Sequence, residues 1–209
     1  MADSADIDQL QVEITPLKQE NEKLLASNRR CRRVAGTDDL TGLPDKVFFS
    51  TALLPQIVTQ RDAEEQSFVS TMVAPDDLGD IKKKCGREGG GRIVVGLAEY
   101  LKENLEFGEK LIHMDRANFV IIAANGDFTS AEWRTRQIRA RPVSRYFQYG
   151  DDALSLTLSL SVTMQTPELA GSATKAKEVV EDLLKRMGIA LDDAKKQGRD
   201  TVVEDFEEE

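Results

Sequence analysis

The tetrapeptide at 115–118 is the first candidate for chemistry, because it falls between two short apolar runs that predict a pair of buried strands. Asp115, Arg116, Ala117 and Asn118 would form the turn of this β-hairpin, with Phe119 directly after it. A turn held by rigid strands is a favourable position for catalytic side chains. This turn offers one acid, one base, one methyl group and one amide, a set that defines no reaction by itself. Its chemistry therefore depends on the elements around it.

Two weaker candidates lie close by in the sequence. His113 is the only histidine, and it falls in a predicted strand with no cysteine or serine nucleophile beside it, so we expect a packed side chain rather than a base. The glycine-rich segment at 86–92 lacks the G-K-[ST] ending of a phosphate-binding Walker loop. Arg87 and Arg92 beside its backbone amides leave anion binding open.

Composition excludes several classes of protein. The chain has 209 residues, a formal net charge of −9, 40% hydrophobic and 31% charged residues, which predicts one soluble domain with an extension. No apolar run approaches the roughly 20 residues needed to cross a bilayer, and the N-terminus lacks a signal-peptide pattern. We therefore expect a cytoplasmic location without a membrane partner, and the acidic balance argues against nucleic-acid binding. Cys31 and Cys85 form no zinc or disulfide motif.

Residues 1–36 are predicted to form a coiled-coil helix. With position 7 as heptad position a, Asn21 and Asn28 also occupy a positions, which favours a parallel two-stranded coil in fixed register. The sequence thus predicts a parallel homodimer, and a lone amphipathic helix packed on its own domain is the alternative. Pro16 removes one helical hydrogen bond and can kink the coil. The seam consists of Ile7, Leu10, Ile14, Leu17, Asn21, Leu24, Asn28 and Cys31.

The rest of the chain alternates helix and strand patterns. Their order predicts an α/β (α+β) domain with a mainly antiparallel central sheet flanked by helices. The predicted elements are a helix at 43–65 broken near Pro55, a strand at 67–74, a helix at 90–105, the hairpin, a helix within 130–141, a half-buried strand at 153–165, a helix at 173–196 and a short strand near 202.

Four segments resemble one family in the correct order. TDDLTGLPDK at 37–46 resembles the D-x-L-T-G-L-x-N-R opening of GGDEF domains, the diguanylate cyclase fold. Three further segments are similar to the family's later motifs, at 85–101, 156–162 and 190–202. The chain is thus identified as a degenerate GGDEF domain at 37–203, preceded by the coil at 1–36 and followed by an acidic tail at 204–209.

The resemblance explains the hairpin turn. Asp115 to Phe119 take the place of the signature, and only the phenylalanine is kept. In the family the third signature residue is a metal ligand, and Ala117 takes its place here. Ala74 aligns with the family's first metal-binding aspartate, and a methyl group cannot coordinate a hard cation. Because phosphoryl transfer depends on metal ions to neutralise phosphate charge, the resemblance implies no bound metal, no cofactor and no catalysis.

Other positions of the family's site have also changed. Lys82 replaces the asparagine that reads guanine in the family, Gly91 replaces its acidic partner, and Gly79 replaces a lysine. Asp76 is retained, and it leaves an alternative in which Asp77 or Asp80 becomes a relocated metal ligand in an active cyclase.

The family's product-inhibition motif R-x-x-D corresponds to EFGE at 106–109. An acid in place of the arginine would repel the phosphates of a guanine nucleotide, so we do not expect a cyclic di-GMP receptor built on this site.

Lys195 and Arg199 match the family's phosphate-contacting basic pair. At i and i+4 they would share a helix face if the helix extends that far. They indicate either weak residual nucleotide binding or a solvated helix end favoured by the helix dipole.

Three functions follow in order. The first is a catalytically inactive regulator or scaffold of bacterial signalling that acts through dimerisation and an unknown protein partner. The second is a non-catalytic receptor for GTP or cyclic di-GMP. The third is an active cyclase with relocated ligands.

Overall fold

The computed structural model describes residues 14–27, 36–124, 127–140, 148–149, 152–153, 156–167 and 173–205. Four predicted seam residues of the coil, Ile7, Leu10, Asn28 and Cys31, lie outside these ranges, as does the end of the acidic tail at 206–209. In the described part of the chain, no helix has the length and apolar character needed to span a bilayer.

Helix α1, residues 14–27, is exposed at every position. Ile14, Leu17 and Leu24 expose 44%, 64% and 63% of their surface, and Asn21 is exposed beside them. This part of the helix therefore does not pack on its own domain, which was the alternative to a coiled coil. Pro16 lies within the described part of this helix.

The domain is built on a five-stranded sheet in the order β2-β3-β1-β6-β7. Every neighbouring pair is antiparallel except β6 and β7, which run parallel, so the predicted mainly antiparallel α/β fold is confirmed. The strands are β1 Phe68–Pro75, β2 Lys110–Asp115, β3 Asn118–Ala123, the separate short pair β4 Gln148–Tyr149 and β5 Asp152–Ala153, β6 Leu158–Gln165 and β7 Val202–Asp205. The helices after α1 are α2 Lys46–Phe48, α3 Leu54–Ala63, α4 Leu78–Glu103, α5 Phe128–Ala140 and α6 Ala173–Lys196.

Helices cover both faces of the sheet. One apolar cluster joins β1 and β3 to α4 and α5, and a second joins the opposite face to α3 and α6. Strand β6 is consequently buried along both faces except at Met164, so the predicted half-buried strand is wrong. Its leucine-serine alternation arises because the serines face α6, where the Ser161 hydroxyl donates to the Met187 carbonyl at 3.3 Å. The strand also begins later than predicted, at Leu158.

Two helices differ from their predicted bounds. The predicted helix at 43–65 contains a π-helical stretch, Phe49–Leu53, just before Pro55. Pro55 has no N–H to donate to a carbonyl of the preceding turn, so one backbone hydrogen bond is missing there. The wider π-helical turn accommodates this, and the helix continues. Helix α4 begins at Leu78 rather than at residue 90, and it is interrupted at Gly86, whose φ of 68° is easily reached only by glycine. Helix α6 and the hairpin have the predicted positions.

Candidate functional site

The hairpin turn is held by its own side chains. Strands β2 and β3 leave Arg116 and Ala117 as the turn residues, and Arg116 has a φ of 53°, a left-handed conformation that favours glycine. The Asp115 carboxylate accepts a hydrogen bond from the Asn118 amide at 3.1 Å and pairs with Lys46 at 3.4 Å. The acid of this turn is thus already engaged by its neighbours.

The two alanines that the resemblance aligns with the family's metal positions are buried. Ala74, on β1, is 1% exposed and belongs to the cluster beneath α6, whereas Ala117 is 2% exposed and belongs to the cluster beneath α4. Among the described residues, no group of three or more histidine, cysteine, aspartate or glutamate side chains is arranged to hold a metal ion. The methyl groups of Ala74 and Ala117 offer no oxygen ligand to the divalent cations that the family implies.

Asp76 is the carboxylate that β1 retains near this position. It is 3% exposed, and its two oxygens accept hydrogen bonds from Thr157 Oγ1 at 2.8 Å, Ser159 Oγ at 2.7 Å and the Asp200 backbone N–H at 3.0 Å. These donors come from β6, from the residue just before β6 and from the turn that precedes β7. Asp76 therefore ties these segments together, and both of its oxygens accept hydrogen bonds from the protein.

The other two carboxylates beside β1 are in surface ion pairs. Asp77 Oδ1 lies 3.5 Å from Arg199 Nε. Asp80 accepts a hydrogen bond from Lys83 Nζ at 2.7 Å, which holds the pKa of Asp80 below its usual value. Both carboxylates are thus paired with basic side chains.

Two adjoining cavities open where the hairpin turn, the start of α4 and the end of α6 meet. We call them together the cleft. They measure about 320 and 260 Å³ and share Pro75, Leu78, Gly79 and Lys195. The larger cavity also contacts the aspartates at 76, 77 and 80 and Arg199. The smaller cavity also contacts Lys82, Arg116, Ala117 and Asn118.

The structure brings Lys195 and Arg199 to the same cavity by a different route from the one expected. Helix α6 ends at Lys196, and Arg199 follows in a left-handed conformation with a φ of 65°. The condition for a shared helix face is therefore not met, because the chain turns at Gly198 before it reaches Arg199. The basic pair comes instead from the helix end and the turn after it.

His113 is a packed side chain, as predicted. It is 7% exposed, stacks on Phe119 at 4.8 Å between ring centroids, and places Nδ1 at 2.9 Å from the Asp38 carboxylate. Burial raises the pKa of Asp38, but hydrogen bonds from Thr41 and His113 outweigh burial and lower it. The contact joins the segment after the coil to the hairpin.

The sequence reasoning missed Arg134. This residue on α5 forms an ion pair with Glu109, both side chains are 8% exposed, and the pair borders a separate cavity of about 140 Å³. Arg134 lies on a buried stripe with Ala131, Thr135 and Ile138. The sequence did contain a signal for this pair. The helical period places Arg134 on the buried face of α5, and a buried arginine requires a partner.

The comparisons agree with the architecture of the sheet and its helices. The family model described as "Diguanylate cyclase, GGDEF domain" matches residues 35–201. The chain belongs to the GGDEF domain family. The diguanylate cyclase DgcP of Pseudomonas aeruginosa is 25% identical over 169 residues, which is 81% of this chain but 24% of DgcP. The chain thus spans about a quarter of the length of this GGDEF relative.

Solved structures show the same GGDEF fold. The coiled coil and GGDEF domain of DgcB from Caulobacter crescentus, in complex with c-di-GMP, is 18% identical with a TM-score of 0.70, over 93% of this chain and 98% of that one. Diguanylate cyclase SiaD from Pseudomonas aeruginosa, in complex with its activator SiaC, is 22% identical with a TM-score of 0.65, over 96% of this chain and 73% of that one.

Proposed function

We propose that this chain is a cytoplasmic regulatory GGDEF domain of bacterial c-di-GMP signalling, which forms no product and acts through dimerisation and contacts with a protein partner. The state of Asp76 carries this proposal. Its oxygens accept three hydrogen bonds from the fold, at 2.7 to 3.0 Å, and it is 3% exposed. A carboxylate used in this way stabilises the protein, and a metal ion would compete with these donors for its oxygens.

The surroundings of Asp76 support the same conclusion. Ala74 and Ala117 supply methyl groups to apolar clusters, and Asp77 and Asp80 are in ion pairs with Arg199 and Lys83. A relocated metal site would require two of these carboxylates to leave their partners and converge. In-line phosphoryl transfer without a metal would leave the phosphate charge without the neutralisation that the reaction needs.

The exposed seam of α1 supports dimerisation. Leu17 and Leu24 are 64% and 63% exposed at d positions, and apolar side chains at this spacing lose their water contacts when a second helix packs against them. DgcB was solved with a coiled coil, and SiaD was solved with a protein activator. A coiled coil and a bound protein activator both suit a domain that transmits a signal by associating with another chain.

The coil is tested by light scattering on the full chain. We expect L17E/L24E to convert a dimer into a monomer, because two carboxylates per helix would enter the seam. The matched control is Q19E/A26E, which adds the same charges on the opposite side of α1, at f positions, and should remain dimeric. A monomeric wild-type chain, or equal effects of the two variants, would contradict the dimer. The absence of catalysis is tested by incubation with GTP and Mg²⁺.

A further inference from the structure

The cavity beside the Glu109–Arg134 ion pair lies between α5 and the loop that precedes β2. It measures about 140 Å³, well below the roughly 300–1,000 Å³ of a pocket that encloses a small-molecule ligand. A space of this size has room for one side chain of a partner rather than for a whole nucleotide.

Two aromatic side chains are exposed beside this cavity. Phe107 borders the cavity and is 108% exposed, and Trp133, one helical turn from the bordering Ser130, is 63% exposed. Exposed apolar side chains that gather in one place, aromatic ones above all, are typical of interaction surfaces. We give the name α5 surface to the exposed residues Glu106, Phe107, Asp127, Ser130 and Trp133.

The loop that carries Phe107 is held by its own hydrogen bonds. The Glu109 backbone N–H donates to the Glu106 carbonyl at 3.2 Å, and the Glu106 backbone N–H donates to the Glu109 carboxylate at 2.8 Å. Gly108 has a φ of 88°, which glycine commonly adopts at the third position of a β-turn. Because the turn is already formed, a partner that covers Phe107 has little backbone entropy to remove.

The charge of the α5 surface is negative. Arg134 is the one basic side chain among the described residues that border the cavity, and its charge is balanced by Glu109. Glu106 is exposed and is in no ion pair within the described part of the chain. Hydrogen bonds from Ser130 lower the pKa of Asp127, so this carboxylate is ionised at neutral pH. Two uncompensated carboxylates therefore border the same cavity as the exposed phenylalanine.

These charges favour a cation over an anion. Glu106 and Glu109 are the acids of the EFGE segment, and they repel phosphate groups. An anion could bind Arg134 only by displacing Glu109, which would leave a buried carboxylate without its partner. A cation would instead meet Glu106 and Asp127 without breaking an existing ion pair.

We propose that the α5 surface is a docking site for a basic segment of a protein partner, in which one arginine side chain enters the cavity. This inference rests on the proposed action through a protein partner. Arginine donates to carboxylates in a fork and stacks on aromatic faces, so Glu106, Asp127 and Phe107 provide its complement. Trp133 adds apolar area beside this contact, as tryptophan does at the centre of many interfaces.

Trp133 also provides the measurement, because it is the only tryptophan of the chain. Its fluorescence would be followed while the full chain is titrated with the peptide acetyl-GARLRAG-amide. The control peptide has citrulline, which keeps the shape of arginine without its charge, in place of both arginines. We expect a saturable change with the arginine peptide, weakened by salt, and none with the citrulline peptide.

Three variants separate this site from general attraction to an acidic protein. E106Q/D127N should lose roughly fourfold to 25-fold in affinity, from about twofold to fivefold per charge. Asparagine can still accept the hydrogen bond that the Ser130 N–H donates to Asp127 at 2.9 Å, so the start of α5 is preserved. F107A should lose about twofold to fivefold. The control E178Q/D182N removes two exposed acids of α6, beyond the opposite face of the sheet, and should bind like the wild type.

Three results would overturn the docking site: no binding of the arginine peptide, equal binding of the citrulline peptide, or equal losses in the two double variants. A parallel titration with c-di-GMP tests the other occupant. If c-di-GMP changed the Trp133 emission and displaced the peptide, the surface would be a nucleotide site and the proposal would be wrong. The proposed function fails on a different result, the formation of c-di-GMP from GTP. Absence of peptide binding would leave that function standing, so the two failures are distinguishable.

Discussion

Replacement of Asp76 by alanine gives the sharpest test of its structural role. Three donors lose their acceptor in this variant: Thr157 Oγ1, Ser159 Oγ and the Asp200 N–H. Hydrogen bonds to a charged group contribute about 1.5–3 kcal/mol each, which sums to about 5–9 kcal/mol if nothing rearranges. The two hydroxyls can rotate toward other acceptors, but the backbone N–H cannot. We therefore expect a loss of about 4 kcal/mol, a large part of the 5–15 kcal/mol typical of a domain.

The assay is urea unfolding of the full chain at one protein concentration, with the slope of each transition compared. Asp76→Asn should lose about 2 kcal/mol, because its amide oxygen still accepts two bonds and its NH₂ can donate to Ser159. Asp80→Ala is the matched control, since it removes an exposed carboxylate paired with Lys83 and should lose far less stability than Asp76→Ala. Equal stability of the Asp76→Ala and Asp80→Ala variants would refute the structural role of Asp76.

Three further predictions concern stability and assembly. Because the pKa of Asp38 is lowered in the folded state, its full contribution to the free energy of unfolding is present above the ordinary value of about 3.9 and is lost as pH falls through the folded value. Asp38→Asn should therefore be less stable than wild type at pH 7 and should lose less stability between pH 5 and 3. Urea unfolding curves that shift in parallel for the two proteins would contradict this. Arg116→Gly should raise the free energy of unfolding by up to about 1 kcal/mol, because glycine suits a φ of 53°, and a lower melting temperature would count against this. Replacement of Asn21 by leucine should alter the oligomeric state in light scattering, because an amide at an a position sets the register of the proposed coil. An unchanged dimer would rule out that role.

The sequence was most informative where periodicity and burial agree. The amphipathic pattern of α6 has no proline or internal break, and its bounds at Ala173 and Lys196 are the predicted ones. The hairpin was equally clear, because two β-branched runs flank a short polar turn. The resemblance also located the cleft, since Lys195 lies beside the hairpin turn in the folded chain.

The features that the sequence did not predict have physical causes that a sequence pattern does not contain. Strand β6 alternates as if one face met solvent, yet its serines lie under α6, where Ser161 donates to a helix carbonyl. The Glu109–Arg134 pair depends on how α5 packs against the loop before β2. The retained Asp76 looked available as a ligand in the sequence, and only the folded positions of Thr157, Ser159 and Asp200 assign its oxygens to the structure.

The most direct test of the central claim is an assay of c-di-GMP formation from GTP. The full chain, over a range of protein concentrations, would be incubated with GTP and Mg²⁺ or Mn²⁺. The product would be separated by chromatography beside that of an active diguanylate cyclase. We predict no c-di-GMP above the protein-free control, because Ala74 and Ala117 offer no ligand and Asp76 is held by the fold. Metal-dependent formation of c-di-GMP by this chain would contradict the account.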